Sequence, residues 1–127
     1  MSRALDDLVP ELRTKAFELI ARCAEADIPV KIIDTLRTKA EQDVYLRKGV
    51  SWTSNSKHLT GRALDICPYE IYTAAPGGDK LLWNVEHPIW DTIVTIGERL
   101  GLKAGARWAV RDFGHFELPD EPLGKRA

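Results

Sequence analysis

The chain has three histidines, and two of them stand in settings suited to metal chemistry. His58 closes a polar stretch seven residues before Asp65, in Ser56-Lys57-His58-Leu59-Thr60-Gly61-Arg62-Ala63-Leu64-Asp65. His115 lies in Asp112-Phe113-Gly114-His115-Phe116-Glu117. Two imidazoles and one carboxylate leave a fourth position open on a tetrahedral zinc ion, as a hydrolytic site requires. Such an ion lowers the pKa of a bound water toward ~7 and polarises a scissile carbonyl. Asp112, three residues before His115, suits a proton shuttle from that water to a leaving amine. A turn must then bring the two together, and Gly114 eases it. His87 precedes Pro88 at a helix entry and reads as a loop residue.

Each of these residues also has a plain structural reading. His58 and Asp65 suit a hydrogen-bonded pair at a loop-to-strand corner, His115 a satisfied edge histidine, and Asp112 a turn former. Spacing alone does not choose between these readings and a zinc site, and no His-Glu-x-x-His signature is present.

The elements that must carry these residues follow from periodicity. Leu5, Leu8, Val9, Leu12, Ala16, Leu19, Ile20 and Cys23 recur at three- and four-residue steps, which predicts an amphipathic helix over 5–25. Val30 to Asp34 is a short strand. Thr38 with Glu41 forms a capping-box pattern, so a second helix is expected over 39–48, stopping at Gly49. Residues 50–57 read as a loop, 63–66 as a strand, and Pro76-Gly77-Gly78-Asp79 as a turn. A third helix is expected from Pro88, with Ile89, Ile93, Ile96 and Leu100 inward and Gly101 as its stop. Leu102–Trp108 and Phe113–Leu118 are further strand candidates, and the tail from Pro119 is irregular. On strands, Asp65 shares a face with Ala63, and His115 shares one with Glu117 while Phe116 and Leu118 turn away. Interleaved helices and strands around one sheet give an α+β class.

With 127 residues the chain is expected to form a single domain over 1–127 with a core that needs no staples. It is 44% hydrophobic and 29% charged, with a net charge of −1. That balance excludes a disordered chain and offers no general nucleic-acid footprint. No apolar run approaches the ~18 residues of a membrane span, so no membrane insertion is expected. The first residues lack a secretory pattern, which predicts a protein cytoplasmic when made. Cys23 and Cys67 are expected to be reduced and buried. Trp52, Trp83, Trp90 and Trp108 are core candidates, with Trp108 also suited to lining a cleft.

Ser56-x-His58-x-x-Gly61-x-Ala63-x-Asp65 followed by Asp112-x-x-His115 resembles the zinc D-alanyl-D-alanine carboxypeptidase and L-alanyl-D-glutamate endopeptidase family, which includes phage endolysins. Asp34-x-x-Arg37-Thr38-x-x-Glu41-Gln42, then Tyr45 and Lys48-Gly49, is similar to the family's arginine-threonine block, and Gly105-x-x-Trp108 to its glycine-tryptophan segment. The resemblance spans roughly residues 30–118. Arg107 stands where the endopeptidase branch often has an acid, and Phe113-Gly114 where many relatives have a proline.

The resemblance implies a compact α+β domain of the hedgehog and D-Ala-D-Ala peptidase type, with helices packed on a small antiparallel sheet. It implies Zn2+ held by His58, Asp65 and His115, with Asp112 as general base and acid. Arg37 would contact substrate or the oxyanion, the other reading being a salt bridge to Asp34 or Glu41. Ser56 and Trp108 are candidate substrate contacts. Aspartate at 112 resembles the endopeptidase branch, so the expected substrate is a peptidoglycan stem peptide cut between L-alanine and D-glutamate. A phage or prophage lysis enzyme is expected, acting on the wall after a holin-like partner releases it. The alternatives are a D-alanyl-D-alanine carboxypeptidase on the same scaffold and a non-catalytic zinc-containing binding module.

Overall fold

The computed structural model describes residues 2–49, 56–70 and 80–120. Three helices are present among them: α1 (Pro10–Glu25), α2 (Lys39–Arg47) and α3 (Ile89–Arg99). The strands are β1 (Val30–Asp34), β2 (Ala63–Glu70), β3 (Lys80–Leu81), β4 (Lys103–Ala104) and β5 (His115–Glu117). They form one antiparallel sheet in the order β1-β2-β5-β4, with β3 also pairing with β2. The α+β class and the helix-on-sheet layering are as the sequence implies.

The first helix is shorter than its periodicity suggests. Pro10 occupies the first helical turn, where its missing N–H costs nothing, and Leu5–Asp7 form a separate 3-10 turn. Leu8 still packs into the core, so the apolar spacing was right although the backbone was not helical throughout. The Arg13 guanidinium ties this entry together by donating to the carbonyls of Leu5, Asp6 and Leu8. In α2 both halves of the capping box form, with the Glu41 N–H on Thr38 Oγ1 and the Thr38 N–H on Glu41 Oε1. In α3 the buried stripe is Trp90, Ile93, Val94 and Gly97, with Ile89 and Ile96 only partly buried at its margins.

The Leu102–Trp108 strand is cut to two residues, because the chain turns at Gly105, whose carbonyl accepts from both Trp108 N–H and Asp112 N–H. Trp83 is not in the core: it is half exposed and stacks on the buried Trp90, ring centroids 6.1 Å apart. Cys23 and Cys67 are free and buried. The expectations for Trp52, for the loop over 50–55, for the turn at 73–79 and for the tail beyond 120 fall outside the described residues.

The core lies between the sheet and the helices α1 and α3. Leu64 and Phe116, paired across β2 and β5, are fully buried in it with Ile66, Leu12, Leu19 and Ile93. Each such side chain contributes about 1.5–3 kcal/mol of transfer free energy. Strand alternation then sends Asp65, His115 and Glu117 to the opposite face. No helix among the described residues is long and apolar enough to cross a membrane.

Candidate metal centre

Asp65 and His115 are register partners, so the β2–β5 ladder delivers a carboxylate and an imidazole to one spot. Asp65 Oδ1 lies 2.9 Å from His115 Nδ1 and 3.2 Å from His58 Nε2. One ligand atom from each of His58, Asp65 and His115 lies within 4.8 Å of the others. The third corner comes from a 3-10 turn, Lys57–Thr60. Ser56 Oγ caps it by accepting the His58 N–H at 3.2 Å. Gly61 ends it at φ +70°, where a side chain would also strike the Asp7 carbonyl at 2.7 Å. The His58 carbonyl accepts the Arg37 N–H at 2.9 Å, joining the turn to the end of β1.

The hydrogen bonds outside the cluster fix which ring nitrogens face inward. The Thr35 carbonyl can only accept, so His58 Nδ1, 2.9 Å away, carries the hydrogen. The lone pair of a neutral His58 is therefore on Nε2, which is buried and faces Asp65 Oδ1 at 3.2 Å. His115 Nε2 lies 2.8 Å from Glu117 Oε1 and donates to it, which turns Nδ1 toward Asp65. Lone pairs on two rings and a carboxylate oxygen thus converge, and only a cation, proton or metal ion, relieves their repulsion. Two imidazole nitrogens and one carboxylate oxygen suit a divalent metal ion with one position left open.

Without a metal, the charges show the same demand. Burial disfavours the Asp65 carboxylate, but hydrogen bonds from His115 and His58 overcome it and hold the group well below the usual range. Burial also opposes the His115 imidazolium, yet the bonds to Asp65 and Glu117 raise its pKa to about 9. Asp112 stands exposed at the turn before β5, with its carbonyl accepting the His115 N–H at 3.3 Å. Partial desolvation, then the Asp65 charge, raises its pKa. Gly114 serves close approach here: a Cβ would sit 2.4 Å from the Ile66 carbonyl oxygen, and Ile66 N–H donates to the Gly114 carbonyl at 2.9 Å.

Arg37 is committed to neighbours. Its Nε donates to Asp34 Oδ2 at 3.0 Å, Nη2 contacts the same oxygen, and Nη1 donates to Gln42 Oε1 at 2.7 Å. Nη2 also lies 3.8 Å from Asp65 Oδ2, and the guanidinium covers the Tyr45 ring at 4.5 Å. The Asp34 salt bridge foreseen as the other reading is therefore present, beside the cluster. Trp108 tilts against the His115 ring at 4.8 Å between centroids. His87 is exposed in a turn, and its Nδ1 accepts the Ile89 N–H. Sequence reasoning missed Thr35, Lys57 and Glu117 as supports of the cluster's side chains. Only Glu117 left a signal, its place two residues after His115 on one strand face.

The sequence matches the D-alanyl-D-alanine carboxypeptidase family over residues 49–118, more than half of the chain. The fold is similar to the crystal structure of Serratia marcescens L-Ala D-Glu endopeptidase ChiX, with a TM-score of 0.70 and 26% identity. That alignment covers 91% of this chain and 83% of the Serratia chain. No match is found among curated proteins.

Proposed function

The chain belongs to the D-alanyl-D-alanine carboxypeptidase family, and from there we propose that it is a zinc-dependent peptidase hydrolysing the L-alanyl-D-glutamate bond of peptidoglycan stem peptides. The observation that carries the reading is the convergence of His58 Nε2, Asp65 Oδ1 and His115 Nδ1, with the outer ring nitrogens tied to Thr35 and Glu117. His58, Asp65 and His115 would hold the zinc, which when bound would supply Lewis acidity toward a water and the scissile carbonyl. Asp112 takes the proton from the water and returns it to the leaving amine. Its exposure at the rim suits that exchange, and its raised pKa suits a base that must also act as an acid. Arg37, ion-paired to Asp34 and 3.8 Å from Asp65 Oδ2, keeps positive charge beside the carboxylate and near the cleft.

Aspartate at 112 and the likeness to the Serratia L-Ala D-Glu endopeptidase support cleavage on the amino side of D-glutamate. The family description favours a second reading, release of terminal D-alanine. Digestion of purified wall fragments with mass spectrometry of the products separates them. A new amino terminus on D-glutamate supports the first reading, and free D-alanine from a pentapeptide stem supports the second. A lysis role, as a phage or prophage endolysin acting after a holin-like partner opens the membrane, belongs to the same reading. Expression with and without such a partner tests it, because lysis should require both.

A further inference from the structure

The side of His115 that faces away from the cluster is built as deliberately as the side that faces it. Glu117, its neighbour on the same face of β5, is 8% exposed and places Oε1 2.8 Å from His115 Nε2. Its other oxygen, Oε2, lies 2.9 Å from Lys57 Nζ. The same ammonium donates to the Leu118 carbonyl at 2.6 Å and lies 3.0 Å from Asp120 Oδ1. Lys57 immediately precedes His58 in the 3-10 turn. One cation thus bridges the segment that carries one ligand to the strand that carries the other.

A buried carboxylate is costly without partners, and Glu117 has two. A carboxylate can only accept, so its bond to Nε2 requires the hydrogen there and leaves Nδ1 as the ring's ligand atom. Were Glu117 apolar, the His115 ring would lose both its orienting bond and its preference for that tautomer. Ligand orientation by an outer carboxylate typically governs 10–100-fold in metal affinity.

We infer that Glu117, fixed by Lys57, is a positioning residue that presents His115 Nδ1 to the metal, and that the Lys57–Glu117 pair couples the two ligand-bearing segments. This rests on the metal-centre reading above. The test is the zinc dissociation constant, measured by chelator competition on the wild type, Glu117→Gln, Glu117→Met and Lys57→Met. Thermal unfolding of each metal-free variant checks that it folds. Glu117→Met should weaken zinc binding about 10–100-fold. Glu117→Gln should lose much less, because its amide oxygen still accepts from Nε2–H. Lys57→Met should fall between them, and the double variant with Glu117→Met should lose no more than Glu117→Met alone. In the zinc-loaded wild type and Glu117→Gln, the His115 Nε2–H proton should give a sharp downfield NMR resonance, lost to exchange in Glu117→Met. Unchanged affinity in Glu117→Met, or an equal loss in Glu117→Gln, overturns the assignment while leaving the metal centre standing. If Glu117→Met does not fold, wild-type affinity in Lys57→Met overturns it instead. A wild type that binds no zinc overturns the metal centre and this inference together.

Discussion

Asp65 and His115 face each other as direct partners across the β2–β5 ladder, with Oδ1 2.9 Å from Nδ1. Sheet register is therefore part of the site's chemistry. A one-residue slip would send either side chain into the core and bring Phe116 or Leu64 out.

That dependence makes Gly114 sensitive. Gly114→Ala places a methyl 2.4 Å from the Ile66 carbonyl oxygen, against backbone that cannot move aside without opening the β2–β5 pairing. The variant should lose about 1–3 kcal/mol of stability, the usual cost of overpacking. Zinc affinity should fall with it. Denaturant unfolding of the metal-free chain and a zinc titration check both halves.

Asp112→Asn tests the proton shuttle. The amide keeps the size and the turn but cannot take a proton, so turnover should drop roughly 10²–10⁴-fold. Zinc content should stay the same, because the three converging ligand atoms lie on other residues. Turnover near that of the wild type reduces Asp112 to a turn residue, and loss of zinc makes it a ligand.

Arg37→Met should cost stability as well as activity. Asp34 is 1% exposed, and Arg37 is its ion-pair partner. Removing one member of a buried pair typically costs about 3–5 kcal/mol. Arg37→Lys keeps the charge without the fork and should recover only part. Metal-free unfolding reads this directly, and wild-type stability in Arg37→Met would show that the pair holds nothing together.

Zinc uptake should release a proton. In the metal-free chain the His115 pKa is raised from 6.5 to about 9, so its contribution to stability is complete below 6.5 and lost as pH climbs through about 9. Glu117 runs the other way: lowered from 4.5 to about 2, it stabilises above 4.5 and fails as pH falls through about 2. At neutral pH a metal must therefore displace the His115 Nδ1 proton. Calorimetric titration with zinc in two buffers of different ionisation heat should show about one proton released near neutrality and less at alkaline pH. Metal-free and zinc-loaded melting temperatures should diverge as pH rises from the neutral range.

Much of this was legible in the sequence, for identifiable reasons. Strand alternation alone puts Asp65 and His115 on the face opposite Leu64 and Phe116, because that period is strict. The capping box at Thr38 and Glu41 fixed the start of α2 to the residue. Periodicity failed where backbone constraint overrides it. Pro10 starts α1 five residues late, and the turn at Gly105 cuts the Leu102–Trp108 strand short. Trp83 departs from the core expectation because aromatic type predicts burial only on average. Thr35 acts through its backbone carbonyl, which carries no sequence signal. Lys57 was hidden because its partner Glu117 is sixty residues away, a contact that only the folded sheet brings about.

If His58, Asp65 and His115 together hold one catalytic zinc, as proposed, metal analysis of the purified chain beside His115→Ala will show it. The expected result is about one zinc per wild-type chain, as a three-ligand site with one open position requires, and none in a folded His115→Ala. A full zinc complement in the variant, or a wild type that retains no zinc after saturation and dialysis, would contradict it.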